Sequence, residues 1–191
     1  PVKLVASAIT IGSGGSAGRE GPAAQISTGF ASLLSDKLDL SPGDRRIAAS
    51  AGMGAGIGSI FRAPLGGALM SAEILYKHDI EVETLVPSMI AAIVGYSVYG
   101  AIEDFEPIFG QQSGITFHDP ATLGYFALLG VLAGLMGMLY AKCFYGTVAL
   151  FKRFSLPLWI RPAIGGLLVG LLGLAVRGSI GTGYGWVQIS M

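Results

Sequence analysis

Gly12-Ser-Gly-Gly-Ser-Ala-Gly-Arg-Glu-Gly-Pro-Ala-Ala-Gln25 is the stretch on which the fold of this chain turns. An apolar run, Leu4 to Ile11, enters it, and a helical pattern, Ala23 to Leu34, leaves it. Between them Arg19 and Glu20 stand side by side, flanked by Gly18 and Gly21, with Pro22 directly after. Proline suits the first turn of a helix, where its missing N–H costs nothing. The backbone N–H groups around Glu20 and Gly21 are therefore expected at the open, partly positive end of a helix, a position that favours an anion.

The rest of the composition says what surrounds that end. Of 191 residues, 52% are hydrophobic and only 13% charged, against roughly 25% charged in a soluble domain. Mean hydropathy is +0.64. With 30 glycines and 9% aromatic residues, this is the composition of closely packed transmembrane helices, not of a water-soluble core. The net charge is zero, so nothing points to a nucleic-acid partner. The one cysteine, Cys143, has no internal disulfide partner and no metal-ligand spacing, and is expected to fill space in an apolar helix. No signal-peptide pattern is present, and Pro1 and the Gly-rich tail before Met191 suggest a piece of a longer chain.

Leu4 to Ile11 and Ala23 to Leu34 each fall short of the ~20 residues that span a bilayer. Short helices meeting at a Gly-rich break are tolerated at membrane depth where the backbone is buried or lines an aqueous cavity, and such a pair points to a transport site. Ser35 to Asp44 reads as a polar loop with a turn at Ser41-Pro42-Gly43 and an N-cap at Asp44. Ile47 to Ile57 is helical and small-sided, with glycine at 52, 54, 56 and 58. Phe61-Arg62-Ala63-Pro64 ends that helix, and Leu65 to Tyr76 forms another, which Pro64 can begin. Arg62 at the break reads as a structural arginine that satisfies loose carbonyls. Lys77-His78-Asp79-Ile80-Glu81 is a hydrated loop, and Val82 to Ala101 is long enough to span, with Pro87 marking a kink. Ala121 to Phe154 is one apolar pattern of 34 residues, ~51 Å of helix against a ~30 Å hydrocarbon core, so it must tilt or protrude. Pro162 to Val176 is a further helix, and the remainder reads as Gly-rich coil.

Charge places the loops. Glu103 to Pro120 holds four acidic residues and no lysine or arginine and is expected outside. Segments bearing Lys37, Arg45, Arg46, Lys77, Lys152, Arg153 and Arg161 are expected to be cytoplasmic. Residues 45 to 77 then enter and leave on one side, as a re-entrant hairpin broken at Arg62-Ala63-Pro64. His78 and His118 fall in separate loops and read as solvated. Tyr76, Trp159 and Trp186 read as interfacial anchors.

A soluble dinucleotide-binding enzyme is the alternative from another class. Val5 to Ile11 could be a strand leading into Gly12, Gly14 and Gly18, with Asp36 beyond. The third glycine is one place late, and that fold needs further strands alternating with helices; after Asp44 the pattern is helical. With that reading set aside, Glu20 is an ionisable residue in a Gly-rich break between apolar helices, a functional candidate by default. It could instead pair with Arg19 or cap its own helix. A carboxylate beside an anion site can occupy it, and protonation or displacement by the anion would open the path.

Gly18-Arg19-Glu20-Gly21-Pro22 resembles the GREGP/GKEGP motif of the CLC family of chloride channels and proton-coupled chloride transporters. The Gly/Ala-rich Ala51 to Gly58, then Phe61-Arg62-Ala63-Pro64-Leu65-Gly66-Gly67, then Ala72-Glu73 agree in order, so the resemblance covers essentially the whole chain. It implies an all-α integral membrane fold, multi-pass, part of an inverted-repeat helical pore domain with short, broken and re-entrant helices. In the family's lettering the chain corresponds to helices E to K, with 1–101 the end of the first inverted repeat and 102–191 the start of the second. Glu20 is implied to be the gate, and the backbone amides of Gly18, Arg19, Glu20 and Gly21 an anion site supported by Pro22, Arg62 and Pro64. The partners implied are the lipid bilayer, chloride as transported ion and a second copy in a homodimer to which residues in 65–101 contribute; no cofactor and no metal are implied.

Three elements of the family's pattern do not occur in this sequence: the GSGIP serine loop, the GxFxP helix start and a pore tyrosine near the end. The central anion site cannot be assembled from these residues alone. Proton-coupled members resemble one another in carrying two adjacent glutamates where this chain reads Glu73-Ile74, and isoleucine cannot carry a proton. Glu73 itself reads as a helix-end charge four residues before Lys77. Fluoride-exporting relatives usually lack the proline of the motif, so the resemblance at Pro22 favours chloride. The expectation is passive, gated chloride conduction with no enzymatic chemistry, with chloride/proton antiport on the same scaffold as the alternative.

Overall fold

The computed structural model describes residues 2–75, 80–110, 119–154, 156, 157 and 159–190. They form helices α1 (Val2–Gly12), α2 (Glu20–Lys37), α3 (Pro42–Ile60), α4 (Pro64–Glu73), α5 (Val82–Glu103), α6 (Thr122–Arg153) and α7 (Ile160–Ala175), a 3-10 turn (Arg177–Ser179) and α8 (Tyr184–Ser190). No strand occurs among the described residues, and Val5 to Ile11, the strand a dinucleotide site needs, lies inside α1. Tyr76, Lys77, His78, Asp79 and His118 lie outside the described residues, and with them most of the expected Lys77–Glu81 loop and the Glu73–Lys77 pair.

Helix α2 runs three residues further at each end than the sequence reading, α4 stops at Glu73, and two other segments differ in kind. Ser41 is the N-cap of α3: its Oγ accepts from Asp44 N at 3.3 Å and donates to Asp44 Oδ2 at 2.7 Å, with Pro42 as the first helical residue. The Ser-Pro-Gly-Asp run is thus a capped first turn and not a loop, and α3 has 19 residues. The segment after α7 is not plain coil either. Positive φ values of 78° at Gly181 and Gly183 turn the chain into α8.

The chain divides into two compact units, residues 1–111 with 169–191, and residues 112–168. In the first, small residues form the seam. Ser50, Gly54, Ile57, Gly58, Gly67, Ala68, Ser71, Ala72, Thr84, Ser88 and Ala92 are buried on α3, α4 and α5, while Leu65, Ile90 and Val98 are exposed. The alternating glycines of α3 resolve into two stripes at helical i, i+4 spacing. A Cβ on Gly52 would lie 2.9 Å from Ser27 O, and one on Gly56 would lie 3.0 Å from Ala23 O, so this stripe seats α2 antiparallel to α3. A Cβ on Gly54 would lie 3.3 Å from Ser88 Cβ, and one on Gly58 would lie 3.1 Å from Ala92 Cβ, so that stripe seats α5 parallel to α3. Gly67 of α4 lies against the backbone of Gly54 and Gly58, and Ser50 Oγ donates to Ser71 O at 3.0 Å, which runs α4 back along α3. Large exposed apolar side chains around a seam of small ones are what helices packed within lipid require.

Arginines close the breaks between helices. Arg45 donates from Nε to Leu40 O at 2.8 Å and from Nη1 to Asp36 Oδ1. Arg62, at φ +53°, donates to Glu103 O at 3.1 Å and to Glu106 O, matching the reading of a residue that satisfies loose carbonyls. Arg46 Nη2 lies 2.6 Å from Glu81 Oε1, and the Glu81 side chain is only 9% exposed, so this end of the expected hydrated loop is buried. The start of α3 and the start of α5 are therefore side by side, as a re-entrant α3–α4 hairpin demands.

In the second unit, α6 carries 32 residues with mean hydropathy 1.9 over its best window and none of them buried. Cys143 lies on it, exposed. Arg161 donates to Leu156 O and Phe154 O at 3.1 and 3.3 Å. Helices α5 and α6 are each long and apolar enough to cross a membrane; α1 and α7 are shorter apolar helices. Trp159 and Trp186 are 76% and 60% exposed.

Candidate functional site

The site is built where α1 stops and α2 begins. Helix α1 unwinds through hydrogen bonds from Ser13 N to Ile9 O (2.9 Å) and from Gly15 N to Thr10 O (2.9 Å). Gly14 has φ +91°, a conformation that L side chains rarely adopt. The chain re-enters a helix at Glu20. Arg19 is the N-cap residue with no side-chain capping bond, Ala23 N to Arg19 O (3.0 Å) is the first bond of the new turn, and Pro22 is the third helical residue. The N–H groups of Glu20 and Gly21 precede that bond and have no acceptor among the described residues. They are open donors at the positive end of an 18-residue helix.

Glu20 is half-buried, and its carboxylate folds back over Gly18, where a Cβ would overlap Oε2 and come within 2.6 Å of Cδ. Gly18 thus gives the carboxylate its berth. Neither plainer role for Glu20 is present: no ion pair joins it to Arg19 among the described residues, and it does not cap its own helix. Arg19 turns the other way. Its guanidinium carbon lies 4.9 Å from the centroid of the Tyr184 ring, and its Nε is buried without a hydrogen-bond partner.

Arg62 comes to the same place. A polar cavity of about 360 Å³ is lined by Arg19, Ile60, Arg62, Tyr99, Glu103, Asp104, Glu106, Pro107 and Ile108. The start of α2 and the α3–α4 break thus open on one space. Pro64 is the first residue of α4, and Ala63 N donates to Gly58 O at 2.9 Å across the break. Sequence reasoning did not find Tyr184. The 178–185 segment is dominated by glycine and carries no periodicity, so nothing in it marked a contact with the other end of the chain. The residue signal was an aromatic directly after a positive-φ glycine. Among the described residues no cluster of His, Cys, Asp or Glu has the arrangement of a metal site.

The family described as voltage gated chloride channel matches residues 1–191. The chain belongs to that family. An uncharacterized protein of Methanocaldococcus jannaschii is 30% identical over 182 residues, covering 95% of this chain and 45% of that protein. The chloride/fluoride channel protein of Pseudomonas syringae pv. tomato is 31% identical over 174 residues, 90% of this chain and 38% of its own length. The voltage-gated ClC-type chloride channel ClcB of Shigella flexneri is 33% identical over 192 residues, 98% of this chain and 44% of its own length. The chain thus spans less than half the length of these relatives. It is an all-helical integral membrane protein chain of the CLC family.

Proposed function

We propose that this chain serves anion transport, and that its function is passive, gated chloride conduction with Glu20 as the gate. The observation that carries the reading is the Glu20 carboxylate folded over Gly18 at the unsatisfied start of α2. A negative group held beside open N–H donors competes with a free anion for them. Removing its charge, or displacing it, leaves those donors to chloride. The backbone amides of Gly18, Arg19, Glu20 and Gly21 form this chain's share of the site, and Pro22 lies in the first turn of the helix that aims them. Residues 1–101 and 102–191 are read as the end of one inverted repeat and the start of the next. Two copies are read as forming a homodimer through residues in 65–101.

Ile74 beside Glu73 favours conduction over chloride/proton antiport, because an aliphatic side chain offers no inner proton acceptor. Pro22 favours chloride over fluoride. The test is flux through the full-length protein in liposomes. Glu20→Gln, which mimics the protonated gate, is expected to raise chloride flux or remove its pH dependence; unchanged flux and pH response would refute the gate. Reversal potential under a proton gradient is expected to follow chloride alone, and a proton-dependent shift would establish antiport instead.

A further inference from the structure

Three arginines at helix breaks, Arg45, Arg62 and Arg161, each donate to main-chain carbonyls. Arg19 does not. It holds the same kind of position, between α1 and α2, yet no carbonyl or carboxylate among the described residues accepts from its guanidinium, and its buried Nε has no partner. What it has is the face of Tyr184, 4.9 Å from the guanidinium carbon. A guanidinium is weakly hydrated and stacks on aromatic faces, where the ring's negative face compensates part of its charge.

Tyr184 is itself fixed from two directions. Its ring lies 5.6 Å from that of Phe109, which follows the end of α5, at an interplanar angle of 45°. The segment before it is tied to the same link that carries Arg19: Gly181 N donates to Gly14 O at 3.1 Å. The tyrosine, the Gly14 turn and the start of α2 therefore form one assembly. Within it the charges of Arg19 and Glu20 are kept apart, one on a ring and the other over Gly18.

We propose that Tyr184 is a positioning residue for the gate: its ring holds the Arg19 guanidinium off the Glu20 carboxylate, so that the carboxylate answers to the proton and the anion alone. The inference rests on the reading of Glu20 as the gate. Released from the ring, a five-donor cation on the residue next to Glu20 could turn to that carboxylate, adjacent in sequence, or to those of Glu103, Asp104 and Glu106 across the polar cavity; only the first favours the ionised form of Glu20, and that is the outcome proposed. The other charged groups around the start of α2 are Lys3 on α1, which lines a cavity with Gly18 and Pro22, and Arg62, Glu103, Asp104 and Glu106 in the polar cavity. All of these are unchanged in the variants below, and a released Arg19 that turned to the cavity carboxylates instead would leave the midpoint of Glu20 unshifted.

The experiment measures the pH profile of chloride flux for the full-length protein in liposomes. Tyr184→Met keeps most of the side-chain bulk and removes the ring face; it is expected to move the midpoint to lower pH by about one unit, the scale of a new opposite charge beside a carboxylate. Tyr184→Phe keeps the face and is expected to keep the wild-type midpoint. In the Glu20→Gln background Tyr184→Met is expected to have no midpoint to move. An unshifted midpoint in Tyr184→Met, or flux lost equally in both backgrounds, would overturn the proposal and leave Tyr184 a packing residue. A Glu20→Gln protein with the wild-type pH response would instead remove the gate reading, and this proposal with it. If Tyr184→Met does not assemble, Phe109→Leu is measured in its place: withdrawing the ring behind Tyr184 is expected to give a smaller shift of the same sign, and no shift overturns the proposal.

Discussion

Gly18 has no room for a side chain because the Glu20 carboxylate is already there. That gives the glycine a sharper meaning than flexibility. The three atoms that a Cβ at this position would meet first all belong to the far end of a flexible glutamate. Gly18→Ala is therefore expected to fold and assemble normally and to evict the carboxylate from its berth. Chloride flux should rise at neutral pH and depend less on pH, in the manner of Glu20→Gln; wild-type flux and pH response would show that the berth is not where Glu20 acts. The motif told how close Glu20 stands to a helix start, because proline and the flanking glycines mark such a start from neighbouring residues alone. It did not tell which way the two charges turn. That is decided by Tyr184 and by the Gly14–Gly181 hydrogen bond, contacts between chain ends that no local pattern encodes.

Helix α3 works as a two-sided spacer, with Gly52 and Gly56 toward α2 and Gly54 and Gly58 toward α4 and α5. The small-sided character of that helix was legible from the alternating glycines; the assignment of each stripe to a neighbour was not, since every partner is also small. Its start was misjudged for a chemical reason: Ser, Pro, Gly and Asp serve turns and helix caps equally, and only the Ser41–Asp44 hydrogen bonds separate the two. The tightest backbone approach in the seam is at Gly67 on α4, where a Cβ would lie 2.4 Å from Gly58 N and 2.6 Å from both Gly54 O and Gly58 Cα. Those are backbone atoms and cannot swing aside. Gly67→Ala is expected to destabilise the protein by about 1–3 kcal/mol, the usual cost of overpacking, seen as a lower thermal midpoint in detergent. Gly66→Ala, whose Cβ would meet only Ala63 Cβ at an ordinary 3.7 Å, is expected to be neutral or to stabilise by up to about 1 kcal/mol. Helix propensity favours alanine at both positions, so equal losses at 66 and 67 would mean that the α3–α4 contact at Gly67 does not set the cost.

Across the first unit, two arginine clasps mark the ends of α5. Arg46 meets Glu81 just before its first residue, and Arg62 meets the carbonyls of Glu103 and Glu106 at its last turn and beyond. Helix α5 has 22 residues, ~33 Å at the helical rise, close to the ~30 Å of a hydrocarbon core. The start of α2, the end of α3 and the end of α5 share the polar cavity at one end. The end of α2 is joined to the start of α3 at the other, through Arg45 and Asp36. Charge alone puts the 37–46 loop and the segment after α4 on one side of the membrane and the Glu103–Pro120 loop on the opposite side; the packing brings the end of α2 and the starts of α3 and α5 to one end of these helices and Glu103 and Glu106 to the other. Single cysteines in a Cys143→Ser full-length protein give the physical test. Lys37→Cys and Glu83→Cys are expected to react with an impermeant thiol reagent from the same side of a sealed vesicle, and Glu106→Cys only from the other. These three sites are exposed, so reactivity reports sidedness and not burial. Labelling of 37 and 83 from opposite sides would mean that the α3–α4 hairpin crosses the bilayer instead of returning.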